Sequence, residues 1–127
     1  MDFGLFSLMS RRDAATLATR IVHDTVEQVR LAEQAGFAIA WFAEHHFSNY
    51  SLCPSPLLMA AHAAAVTTRI RLGTGVVVLP LYMAPRLLAE IGLVDTLSDG
   101  RLVLGVGSGY QPFEFERLAS TSPNRAR

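Results

Sequence analysis

The stretch IAWFAEHHF, residues 39–47, runs an apolar segment into a carboxylate and two adjacent imidazoles. Ile39, Ala40, Trp41 and Phe42 make too short a run for a helix, but a sufficient one for a strand buried on both faces. The abrupt change at Glu44, His45 and His46 marks the carboxyl end of that strand. In α/β folds with parallel sheets, that end is where sites are built.

Three more runs of the same kind flank it, at 3–8, 70–79 and 102–106, and Val76-Val77-Val78 in the third is β-branched. Helical patterns fill the intervals. Residues 21–35 carry Val22, Val26 and Val29 at spacings of three and four, with Gly36 as a stop. Pro54-Ser55-Pro56 opens an alanine-rich helix over 57–66, and Pro85 opens another that closes at Asp99-Gly100. The order is β-α-β-α-β-α-β, with strand starts 36, 31 and 32 residues apart. A (β/α)8 barrel spends about 31 residues on each unit, and a doubly wound open sheet uses similar ones. Periodicity leaves both open.

The chain has 127 residues, half of them apolar and 17% charged, which predicts one domain with a buried core. Eleven basic residues balance eleven acidic ones, so nothing points to nucleic acid or an anionic membrane. Cys53 is the single cysteine, which excludes an internal disulfide and suits a reducing cytoplasm. No apolar run is long enough to span a bilayer, and no basic leader precedes Phe3. The expected location is cytoplasmic.

Four segments converge at the strand ends: 6–9, 44–47, 73–80 and 107–111. Because side chains alternate along a strand, Glu44 and His46 are expected on one side and His45 on the other. An imidazole beside a carboxylate suits general acid–base work, while adjacent histidines at a strand end are equally compatible with a solvated edge. No metal site is expected, since the spacing is not that of a helix-borne H-E-x-x-H and His23 and His62 fall on helices without a paired ligand. Gly105-Val106-Gly107-Ser108-Gly109 does not match G-x-G-x-x-G, and Gln111-Pro112 is read as interrupting the helix that motif requires. These glycines, with Gly73 and Gly75, suit tight turns or close approach of a ligand.

Phe3-Gly4-Leu5-Phe6, Ala35-Gly36-Phe37, Trp41 to Phe47, Arg69 to Pro80 and Leu97-Ser98-Asp99-Gly100-Arg101 together resemble the bacterial luciferase-like flavin-dependent monooxygenases, in order, from residue 1 to about 115. The resemblance implies a (β/α)8 TIM barrel, of which this chain supplies the first four β/α units. That places a half barrel at 1–118 and an irregular tail at 119–127, as truncation or a frame change would leave. It also implies an enzyme using reduced FMN, supplied by a separate flavin reductase, and O2 on an aldehyde-like or other small organic substrate. A deazaflavin is the less favoured cofactor. His45 resembles the family's catalytic histidine and Glu114 its acidic partner. Glu44, Gly75, Val76 and Ser108 fall at cofactor-contacting positions, with a non-prolyl cis peptide at Gly75-Val76, and Phe6 and Phe47 at the substrate pocket. Ser108 departs from the arginine found near the flavin phosphate in luciferase. Unpaired barrel edges would favour a homo-oligomer. The alternative expectation is a non-catalytic half barrel that binds flavin weakly or serves as an association module.

Overall fold

A computed structural model describes residues 1–119. Its strands are β1 (Gly4–Ser7), β2 (Ile39–Phe42), β3 (Arg71–Thr74), β4 (Val77–Val78), β5 (Leu102–Val103) and β6 (Val106–Gly107). Its helices are α1 (Ala18–Gln34), α2 (Pro56–Ala64), α3 (Ala84–Leu97) and α4 (Pro112–Ala119), with a 3-10 turn at Leu79–Leu81. The expected tail at 119–127 lies, beyond Ala119, outside the described residues. No described helix is long and apolar enough to cross a membrane.

The main sheet runs β1-β2-β3-β5 and every pair in it is parallel. One row of the register links Phe6, Trp41, Gly73 and Val103 across the four strands. Alternation gives the sheet two unlike faces. Ala40, Phe42 and Leu72 are fully buried and pack with Val29, Ala32, Leu57, Ala60, Leu87 and Val94. On the other face the Trp41 indole lies over Gly73. A Cβ on Gly73 would overlap the indole ring, so this position has no room for a side chain. Phe6, on the same face, is 58% exposed. This is the sheet of a partial (β/α)8 barrel, with a buried core on its helix-facing side and its barrel-facing side open.

The third and fourth strands each divide in two. After Thr74 the chain passes through a cis Gly75–Val76 peptide before β4, and Leu104-Gly105 separate β5 from β6. The division has a local cause. A Cβ at residue 105 would overlap the Thr74 carbonyl oxygen, so glycine lets the two backbones close up. There the Thr74 hydroxyl donates to the Gly105 carbonyl (2.8 Å) and accepts from the Gly105 N–H (2.9 Å), and the Val77 N–H donates to the same carbonyl (2.8 Å). A side-chain hydroxyl thus replaces one rung of the ladder, and a second parallel pair, β4–β6, starts beyond it.

Two polar devices secure the opposite end of the sheet. Glu33, in the last turn of α1, accepts from three successive N–H groups: Thr68 (2.9 Å), Arg69 (2.6 Å) and Ile70 (2.9 Å). Arg101 donates to the carbonyls of Ala64, Thr67, Ile70 and Ser98 and to the Thr67 hydroxyl. Its guanidinium therefore joins the end of α2 to the starts of β3 and β5. Asp99 and Gly100, at φ 53° and 73°, make the left-handed turn that brings it there.

Helix α4 corrects one reading of the sequence. Pro112 does not interrupt a helix; it is the first residue of one. Proline is tolerated at that position because the first-turn N–H has no intrahelical partner to lose.

Candidate functional site

Beyond Phe42 the chain leaves β2 with Glu44, His45 and His46 turned to different partners. Glu44 is 3% exposed and fully engaged. Its Oε1 pairs with His46 Nε2 (2.8 Å) and its Oε2 accepts from the Val78 N–H (2.9 Å). With both oxygens bonded, the buried carboxylate ties the end of β2 to β4. His45 turns the other way, its Nδ1 lying 3.2 Å from Glu114 Oε1. The same oxygen accepts from the His46 backbone N–H at 2.8 Å.

Glu114 is 2% exposed and comes from the first turn of α4. Its negative charge sits favourably near the helix N-terminus. Arg117, one turn on, stacks over the Phe47 ring at 5.5 Å and over Phe113 at 5.8 Å, which fastens α4 to the loop following the histidines. The His45 N–H donates to the Cys53 carbonyl (3.0 Å). Backbone, ring and supporting carboxylate are thus each anchored, and His45 Nε2 makes no hydrogen bond among the described residues.

His45, Glu114, Glu44, Gly75, Val76 and Ser108 line one cavity of about 280 Å³, completed by Val78, Gly109 and Tyr110. The two remaining residues singled out from the sequence lie outside it. Phe6 borders a separate cavity of about 330 Å³ at the end of β1, although its ring also reaches towards Gly75. Phe47, at φ 58° and half exposed, borders a cavity of about 470 Å³ with His45 and His46. A larger space of about 620 Å³ lies between α2 and α3 behind Glu44 and His46. Burial, reinforced by the nearby Glu44 charge, pushes the Tyr82 phenol at that space well above its ordinary value. Burial likewise pushes the Cys53 thiol up to about 11, so it carries no thiolate at neutral pH.

Sequence reading passed over Tyr50 and Tyr110, which both contact the His45 ring. It also passed over Thr74 and Arg101 as organisers of the strands. Neither the Thr74–Gly105 contact nor the two tyrosines carries a signal in its local sequence.

The luciferase-like monooxygenase family matches this chain over residues 1–127. The chain is 60% identical over 118 residues to the protein y4vJ of Sinorhizobium fredii, covering 93% of this chain and 34% of that protein. It is 35% identical to the oxygenase component of the flavin-dependent trigonelline monooxygenase of Acinetobacter baylyi, covering 93% and 33%. Among solved structures, the monooxygenase RslO1 of Streptomyces bottropensis superimposes with a TM-score of 0.86 at 32% identity, covering 94% of this chain and 36% of that one. The chain spans about a third of the length of the relatives it matches.

Proposed function

The chain belongs to the luciferase-like monooxygenase family, and on that premise we propose that it carries the flavin-facing, proton-handling part of a flavin-dependent monooxygenase. The observation that supports this most directly is the His45–Glu114 pair on the cavity that the cis Gly75–Val76 peptide also lines.

The residues present suit the ring of a flavin. Val76 and Val78 offer apolar surface, Gly75 leaves its backbone uncovered, and His45 supplies a polar atom at the edge. For a phosphate the same cavity has no lysine or arginine among its lining residues, which leaves hydroxyl and backbone groups such as those of Ser108. FMN is the preferred cofactor on this reading, a deazaflavin the alternative, and a phosphate would depend on hydroxyl and backbone groups here. When bound, the reduced ring supplies the electrons that activate O2.

The roles of the chain's own residues follow from their bonds. Glu114 accepts from His45 Nδ1–H, which sets the tautomer and leaves Nε2 able to hold or deliver a proton at the cavity. Glu44 acts from behind. Its bonds to His46 and Val78 hold β2 against β4, and so fix His45 relative to Gly75–Val76. The apolar surface of Val76 and Val78 would face the reacting atoms, where it disfavours water. Phe6 and Phe47, at the mouths of neighbouring cavities, are the proposed contacts for a small organic substrate, aldehyde-like or otherwise apolar. A separate reductase is the proposed source of reduced flavin, in keeping with the oxygenase-component relative.

Titration of the chain with FMN, followed by flavin fluorescence, tests the binding step, and saturable quenching is the expected result. His45→Ala is expected to leave that binding in place and lower the yield of oxygenated product by about 100-fold, the scale of a lost general acid–base. Unchanged turnover in the variant overturns the role of His45.

A second reading is favoured by the open barrel-facing side, where Phe6 is exposed. On that reading the chain binds flavin weakly and associates through its sheet edges, and the unmodified chain gives no oxygenated product.

A further inference from the structure

Two large aromatics on this chain are exposed yet held in place. Tyr50 is 53% exposed and Tyr110 is 69% exposed, and neither belongs to the buried core. They come from loops sixty residues apart and meet at one imidazole. The Tyr50 ring lies 4.9 Å from the His45 ring, centroid to centroid, at an interplanar angle of 73°. The Tyr110 ring lies 6.0 Å from it at 86°. Both are edge-to-face contacts, the geometry that ring quadrupoles favour.

Each loop is built to deliver its tyrosine. The Ser10 hydroxyl donates to the Tyr50 carbonyl (2.8 Å), and the Arg11 N–H donates to the neighbouring Asn49 carbonyl (2.9 Å), so the β1–α1 loop pins the segment that carries Tyr50. Tyr110 follows Gly109, which stands at φ 73°. A Cβ there would meet Val78 at 2.6 Å and the Phe115 ring at 2.8 Å, so only glycine allows the turn. The glycine-rich run before α4, which matches no nucleotide motif, thereby sets both Tyr110 and Glu114 against His45.

A bond at Nδ1 alone leaves an imidazole free to rock about that contact. Two ring contacts at steep angles remove that freedom. We propose that Tyr50 and Tyr110 are positioning residues that clamp the His45 ring with Nε2 presented to the cavity. The proposal rests on the reading of His45 as the proton-handling residue. It assigns the tyrosine rings, not their hydroxyls, to the task.

The test uses the chain with Tyr50→Leu, Tyr110→Leu and the corresponding phenylalanine variants. The carbon-bound ring protons of His45 are followed by NMR, assigned by their loss in His45→Asn. Aromatic ring currents at these distances displace the His45 resonances. Each leucine variant is expected to shift them towards unperturbed imidazole positions, the double leucine variant most, and each phenylalanine variant to leave them near the wild-type positions. Because both side chains are largely exposed, the leucine variants are expected to keep the wild-type far-UV dichroism. Leucine variants with unmoved His45 resonances overturn the clamp, as do phenylalanine variants that shift them as far as leucine does. Adding FMN to the same samples separates the two levels. Resonances that respond to the tyrosine variants but not to FMN uphold the clamp and count against the flavin site. Resonances that respond to FMN but to neither leucine variant do the reverse.

Discussion

Glu114 Oε1 lies 3.2 Å from His45 Nδ1, a contact that joins residues 69 apart in the chain. The same atom accepts the His46 N–H, so one buried carboxylate oxygen serves both members of the histidine pair. Its removal therefore has two consequences that can be separated.

Glu114→Ala leaves a His46 N–H without its acceptor, and is expected to destabilise the chain by about 1–3 kcal/mol. Glu114→Gln keeps an oxygen acceptor but removes the charge, and is expected to cost less than half of the alanine value. Urea unfolding of the three proteins measures the difference. Equal losses in the two variants would show that the N–H acceptor is not what Glu114 contributes to stability.

Gly73 and Gly92 make an opposed pair. At Gly73 a methyl would collide with the Trp41 indole, so Gly73→Ala is expected to cost about 1–3 kcal/mol and to shift the emission of Trp41, the chain's single tryptophan. At Gly92, inside α3, a methyl meets nothing within 4 Å. Gly92→Ala is expected to stabilise by about 0.5–1 kcal/mol through helix propensity and leave the emission unchanged. Thermal unfolding with tryptophan fluorescence reads both.

The sheet's lower end is expected to be acid-sensitive through Glu33. Burial acts to raise the Glu33 pKa, but the bonds from Ile70, Arg69 and Thr68 and the Arg69 charge outweigh it, and the net shift is downward from 4.5. A group held lower when folded stabilises the protein above its unfolded value. That contribution is lost as pH falls below 4.5 through the folded value. Glu33→Gln is therefore expected to lose stability relative to the parent at neutral pH and to close the gap in acid. A gap of constant size, by urea unfolding on both sides of pH 4.5, would exclude this linkage.

Arg101 is expected not to be replaceable by lysine. Lysine has neither the fork nor the reach to serve Ala64, Thr67, Ile70 and Ser98 together. Arg101→Lys is expected to lose about 1–3 kcal/mol, close to the loss in Arg101→Ala, because the abandoned carbonyls end α2 and begin β3. Recovery of parental stability in the lysine variant would mean that charge rather than geometry matters.

The alternating elements were legible because each depends on local pattern. β2 falls at 39–42 as read, and α2 and α3 fall within about a turn of their expected positions. The opposite facing of His45 and His46 was legible for the same reason, since alternation continues past the strand end. The split of the third and fourth strands was not. It arises from contact between Thr74 and Gly105, 31 residues apart, and neither shows it in its own neighbourhood. Helix α4 is not legible in this way because Pro112 signals a break in the pattern, although at a first turn it has no N–H to lose.

By itself, then, the sequence determined the order of β/α units, the strand end that carries Glu44, His45 and His46, and the family, because periodicity and contiguous motifs are properties of neighbours along the chain. Only the tertiary structure decided that one Glu114 oxygen also takes the His46 N–H, that Glu44 is spent on His46 and Val78, and that two exposed tyrosines meet at His45. Those pairings depend on the separation of loops brought together by strand register and helix packing, and a hydrogen bond or ring contact is settled over a few tenths of an ångström. No spacing along one chain carries that distance.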